Sequence, residues 1–78
     1  MHVHVKLFSR FRSYLPPQAR GEATIEMPST ATVAFLLEHL GIDRRVKLIT
    51  INGDREEDRN RVLRDGDVVR IFPVVVGG

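Results

Sequence analysis

The 78-residue sequence contains no cysteine and no tryptophan. Without cysteine there is no disulfide to staple the fold and no thiol nucleophile. Aromatic residues make up only 6% of the chain, too few for the stacking platform that single-stranded nucleic acids require. A dominant charge is missing as well. Twelve Lys+Arg against ten Asp+Glu leave a formal +2, so the pI of about 9.7 reports arginines that stay protonated rather than a strongly basic surface. Arg10, Arg12 and Arg20 cluster early, while Arg55, Arg59, Arg61 and Arg64 are interleaved with Glu56, Glu57, Asp58 and Asp65. Mixed signs make a solvated face, not a stripe for phosphates. No apolar run approaches the roughly 20 residues of a membrane helix, and Met1-His2-Val3-His4-Val5-Lys6 alternates instead of building a signal-peptide core. The expectation is a cytoplasmic protein with neither nucleic acid nor membrane as partner.

At 42% hydrophobic and 28% charged, the composition is globular. The length fits one small domain whose folding hides only about 60% of the unfolded surface, so the core must be efficient.

Val3, Val5 and Leu7 alternate with polar residues, the period of two of a half-buried strand. A loop follows, with room for a short helical turn before Pro16-Pro17, through which neither strand nor helix is expected to run. Glu22 to Met27 alternates again. The period then changes: Val33, Leu36, Leu37 and Leu40 fall at i, i+3, i+4 and i+7, the apolar stripe of a helix lying on a sheet. Thr30 or Thr32 is placed to cap that helix and Gly41 to end it, and Phe35 falls at the edge of the stripe. Val46 to Ile51 reads as a strand running into Asn52-Gly53, a hairpin signal. Asp65-Gly66-Asp67 marks a second turn. The last strand, from Val68 to Pro73, sets Val69 and Ile71 on one face and Val68, Arg70 and Phe72 on the other. Strand, strand, helix, strand, short strand, strand predicts an α+β fold of the β-grasp type. Its mixed sheet has four to five strands, with one main helix on one face. Residues 1–73 form this domain and 74–78 an extended Gly-Gly tail.

No catalytic set is present. Ser9, Ser13 and Ser29 lack a nucleophile-elbow context, and the glycines are scattered at turns rather than gathered into a phosphate loop. His2 and His4 share a strand face, but with His39 elsewhere they fall short of the three or four ligands zinc takes. The chain reads as a non-enzyme that binds no cofactor.

The informative feature is the end, Phe72-Pro73-Val74-Val75-Val76-Gly77-Gly78. Three β-branched residues favour an extended backbone, and two glycines can pass through a channel too narrow for any side chain. Five residues after Pro73 reach about 17 Å when extended. The carboxylate of Gly78 is a poor electrophile, but a partner enzyme using ATP can convert it to an acyl-adenylate, which a persulfide can attack to leave a thiocarboxylate.

Leu7-Phe8-Ser9-Arg10-Phe11-Arg12, the helix Thr32–Leu37 with Leu40-Gly41, Ile51-Asn52-Gly53, Leu63–Val69 around Asp65-Gly66-Asp67, and Phe72-Pro73 before Gly77-Gly78 together resemble the ubiquitin-like sulfur carriers. That group includes the small subunit of molybdopterin synthase and the thiamin-pathway sulfur carrier. The Phe-Pro pair is more similar to the molybdopterin branch, although Val74 and Val76 stand where that branch usually has proline and alanine. The resemblance implies that Gly78 bears the thiocarboxylate and Gly77 gives it passage. Phe72, Pro73, Arg70, Phe8 and Val75 would meet partners. Those partners would be a ubiquitin-activating-type adenylating enzyme that uses ATP, a sulfur donor protein and a sulfur-accepting synthase subunit. Two other readings share the fold: a non-covalent interaction module acting through the outer sheet face, and a ubiquitin-style modifier ending in an isopeptide bond.

Overall fold

The computed structural model describes residues 1–42 and 45–75. Five strands form one sheet: β1 (His2–Leu7), β2 (Glu22–Glu26), β3 (Val46–Ile51), β4 (Asp54–Arg55) and β5 (Val68–Pro73), in the order β2-β1-β5-β3-β4. β1 and β5 run parallel at the centre, whereas the β1–β2, β3–β5 and β3–β4 pairs are antiparallel. The helix α1 (Val33–Leu40) lies across one face. With the helix inserted between the hairpin β1–β2 and the remaining strands, this is the β-grasp arrangement expected from the sequence.

Alternation decides which residues enter the core. Val3, Val5 and Leu7 of β1, Ile49 and Ile51 of β3, and Val69 and Ile71 of β5 are all buried, facing Val33, Leu36 and Leu37 of the helix. Leu40 completes the stripe from a partly buried position, and Phe35 is 43% exposed at its edge.

Helix ends leave amides and carbonyls without partners inside the helix, and each end here is closed by a device. At the start, the Phe35 amide donates to Thr32 Oγ1, so Thr32 is the cap. The Val33 and Ala34 amides donate to the carbonyls of Arg61 and Arg59, which ties the charged loop after β4 to the helix. At the finish, Gly41 takes φ 82°. The Ile42 amide then reaches back to the Leu37 carbonyl at 2.9 Å, a closure that needs a left-handed residue.

Asn52 (φ 53°) and Gly53 (φ 91°) form the β3–β4 turn with both central residues left-handed, which matches the twist of the strands it joins. The segment after β1 differs in part from the expectation. Ser9–Tyr14 forms a 3₁₀ helix, and a second one, Pro17–Ala19, begins at the second proline. Proline is tolerated at a first helical position because its missing N–H would have had no partner there.

Candidate functional site

The sheet face away from the helix is uncovered, and its composition changes from end to end. At the start of β1, His2 faces Glu26 at 3.8 Å and His4 Nδ1 lies 2.9 Å from Thr24 Oγ1. In the middle, Lys6 pairs with Glu22 at 3.5 Å and stands beside Arg70 in the parallel β1–β5 register. At the far end the face becomes apolar. Phe8, the residue after β1, stacks on Phe72 with ring centroids 4.3 Å apart and planes 11° from parallel, and Leu48 is the cross-strand partner of Phe72.

Strand parity therefore brings together Phe8, Arg70 and Phe72 as the sequence suggested. Both rings are half-buried because each covers one face of the other. Leu48 joins them through a register shift between Val46 and Leu48. The shift turns Val46 toward the core and leaves Leu48 on the outer face. Sequence reasoning missed Leu48, although its position out of phase with Ile49 and Ile51 was the available signal.

Pro73 is different. It is buried, paired with Val46 at the last rung of the sheet, and offers no surface to a partner. Its place is structural: it ends β5 with a residue that has no N–H to leave unpaired. Beyond it Val74 is 36% and Val75 75% exposed, so the chain emerges beside the aromatic patch. Gly77 and Gly78 lie outside the described residues, as does Val76.

Beside the patch, Lys6, Phe8, Arg12, Arg20, Glu22 and Arg70 line a shallow groove of about 370 Å³. Four cations share it with one carboxylate. The early arginines are thus not diluted by acids in space as the charged loop after β4 is, where Arg61 donates to Glu56 at 2.8 Å and Arg55 lies 3.7 Å from Glu57. Gly21 makes the arrangement possible. With φ 78°, it sits so close to β1 that a Cβ would lie 2.7 Å from the Leu7 carbonyl and 2.9 Å from Arg12 Cγ. The Arg12 stem occupies the space a side chain would have taken.

Among the described residues, no group of three His, Asp or Glu is placed to hold a metal ion, and no helix is long and apolar enough to cross a membrane. The face presents an aromatic-aliphatic patch with a cationic flank, next to the point where Val74 and Val75 leave the sheet.

The five-stranded mixed sheet with one main helix is the fold of the ubiquitin-like β-grasp class. Residues 5–78 match the ThiS family, and the chain belongs to it, a family of ubiquitin-like sulfur carriers. Solved structures agree. A candidate molybdopterin converting factor, subunit 1, from Pyrococcus furiosus is 32% identical, with a TM-score of 0.75, over 96% of this chain and 99% of that one. The complex of subunits 1 and 2 of molybdopterin-converting factor from Helicobacter pylori matches at 24% identity and a TM-score of 0.65, covering all of both chains. Small archaeal modifier protein 1 from Haloferax volcanii matches at 18% identity and a TM-score of 0.75, again over the full length of both. The last two likenesses show the shared fold alone. No curated protein sequence matches significantly.

Proposed function

We propose that this protein carries sulfur as a thiocarboxylate on Gly78 and delivers it to a synthase subunit of the molybdopterin-converting type. The observation that carries the proposal is the placement of the docking patch and the tail exit at one end of the sheet. Phe72, stacked on Phe8, lies within the strand that releases Val74 and Val75 toward solvent. A partner gripping that patch has the remaining residues within about 17 Å of Pro73, and Gly77-Gly78 is narrow enough to enter its active site.

The chain supplies no catalysis. It has no cysteine, so the sulfur must come from another protein. A ubiquitin-activating-type partner transfers AMP from ATP to the Gly78 carboxylate, releasing pyrophosphate. The terminal sulfur of a donor persulfide attacks the acyl carbon and AMP leaves. A second thiolate then cleaves the S–S bond, taking the donor sulfur into a disulfide and leaving the thiocarboxylate on Gly78. An accepting subunit is supported by the likeness to the Pyrococcus furiosus converting-factor subunit; the Helicobacter pylori structure shows the same fold in a subunit 1 that forms a complex with subunit 2.

The test is incubation with ATP, an adenylating enzyme and a persulfide donor from the same source, followed by intact-mass measurement. The expected product has one oxygen replaced by sulfur. Deleting Gly78 is expected to abolish it while leaving the unfolding transition in place. Activation that persists with a blocked C-terminus overturns the proposal. The pathway is read by supplying the charged carrier to the large subunit of molybdopterin synthase or to thiazole synthase, with sulfur expected to reach the first. Covalent conjugates to lysines that vanish with Gly78 would instead support the modifier reading.

A further inference from the structure

Both backbone polar groups of Val74, the first residue beyond β5, are taken by segments that approach from different parts of the fold, the first 3₁₀ helix and the residue before β3. Its amide donates to the Arg45 carbonyl at 2.7 Å. Its carbonyl accepts from Arg10 Nη1, also at 2.7 Å. An irregular segment just past a sheet ordinarily leaves such groups to water, so double occupancy at this residue calls for an explanation.

The elements behind each contact are costly ones. Arg45 has φ 64°, a left-handed conformation that side chains other than Gly and Asn adopt rarely. On the other side, Ser9 has φ 55°, again left-handed without being glycine. That reversal turns the chain after Phe8 into the 3₁₀ helix that sets Phe11 into the core at 2% exposure. The Arg10 guanidinium carbon then lies 5.5 Å from the centre of the Phe11 ring, within the range of a cation–π contact, and Ser13 Oγ holds the Arg10 carbonyl at 2.9 Å. Two strained turns thus converge on one residue of the tail. Backbone strain retained in this way marks places where position matters.

We infer that Arg10 is a positioning residue for the tail: it fixes the direction in which the chain leaves the domain at Val74 and Val75, and so favours capture of the tail by the adenylating partner. The inference rests on the proposed activation at Gly78. Its physical content is preorganisation. A tail held at Val74 has fewer orientations to lose on entering the partner's channel than one loose from Pro73 onward. Arg45 uses a main-chain carbonyl that no substitution removes, whereas the Arg10 contact is a side chain and can be removed by itself.

The experiment compares the full chain with Arg10→Ala and Arg10→Lys. Pyrophosphate release by the adenylating enzyme is measured against carrier concentration, and the Val74 carbonyl and Val75 amide are followed by NMR without any partner. Arg10→Ala is expected to raise KM for the carrier about three- to tenfold, the loss of one charge-assisted hydrogen bond and the ordering it provides, with kcat unchanged. Arg10→Lys, which keeps a cationic donor, should recover most of the loss. In the free protein Arg10→Ala should move the Val74 carbonyl resonance and increase the fast motion of the Val75 amide, with a fall in the unfolding midpoint of only a few degrees that leaves the domain folded in the assay. A KM that is unchanged or lower in Arg10→Ala, or a Val74 carbonyl resonance that does not respond, overturns the inference. Failure of the unaltered chain to be adenylated overturns the reading of Gly78 instead, and the resonance measurement still decides whether Arg10 holds the tail.

Discussion

Phe8 lies flat on Phe72, 4.3 Å between ring centres, and so joins the residue that follows the first strand to the penultimate residue of the last. The other aromatics lie elsewhere: Phe11 is in the core, Tyr14 is beside it at the end of the first 3₁₀ helix, and Phe35 is on α1. A double-mutant cycle with Phe8→Ala and Phe72→Ala, followed by urea unfolding, should give a coupling of about 0.5–1.5 kcal/mol. Either single change should weaken capture by the accepting subunit at least about tenfold, as loss of a central aromatic anchor does. Additive unfolding energies would mean that the rings are neighbours without being partners.

Asp67 tests a different joint. This buried side chain accepts from Asn52 Nδ2 through Oδ1 at 2.9 Å and from the Arg64 amide through Oδ2 at 2.8 Å, while Asn52 Oδ1 accepts from the Val68 amide. The Asp67 and Asn52 side-chain oxygens each accept one of these bonds. Asp67→Asn must point an NH₂ group at another donor, whichever way the amides turn. The expected cost is about 1–3 kcal/mol, close to that of Asp67→Ala, in chemical denaturation. Wild-type stability in Asp67→Asn would contradict this donor and acceptor assignment.

Gly21→Ala meets two penalties at once. The left-handed φ disfavours any Cβ, and the new atom falls 2.7 Å from the Leu7 carbonyl, where backbone must move. A loss of about 2–3 kcal/mol is expected, in the range of overpacking a tight site. Faster amide exchange should centre on Leu7, whose N–H bonds the Gly21 carbonyl at 2.7 Å. Exchange changed only at distant strands would show that the strain is relieved elsewhere.

Glu56 sets the acid response of the charged loop. The hydrogen bond from Arg61, and then the one from the Asp58 amide, hold its carboxyl below the usual range. Both favour the ionised form. A carboxylate whose pKa is lower in the folded chain stabilises the fold above its unfolded pKa, and that contribution fades as pH falls through the folded value. Glu56→Gln should therefore lose stability at neutral pH and converge with the unaltered protein in strong acid. The Glu56 side-chain carboxyl should titrate below an ordinary glutamate by NMR, and an ordinary midpoint would rule the contact out in solution.

How much of this could be read from the sequence depends on the range of the forces involved. The helix was legible because Val33, Leu36, Leu37 and Leu40 repeat at its own period, and the β3–β4 turn because Asn-Gly is the pair that tolerates two left-handed residues. Parity along Val68 to Pro73 was enough to place Arg70 and Phe72 on the open face, and parity after Leu7 did the same for Phe8. The same parity sets Pro73 with Val69 and Ile71 on the core face, where the structure has it; its expected partner role came from the resemblance alone. Local sequence could not announce Ser9 and Arg45 as left-handed, since neither is a residue that prefers that conformation and both are held there by tertiary contacts. Arg10 was one of three early arginines with nothing nearby to distinguish it; its partner lies at the other end of the chain.

The central position of β5 has a consequence for quality control. β5 is the one strand that joins the β2–β1 pair to the β3–β4 pair, so a product truncated before it leaves two separate hairpins, each with a raw edge. The same strand ends in the tail. Under the activation proposed at Gly78, an enzyme that seizes the terminus only while gripping β5 would inspect, in one act, whether that strand was made and whether it folded, and truncated copies would not compete for ATP.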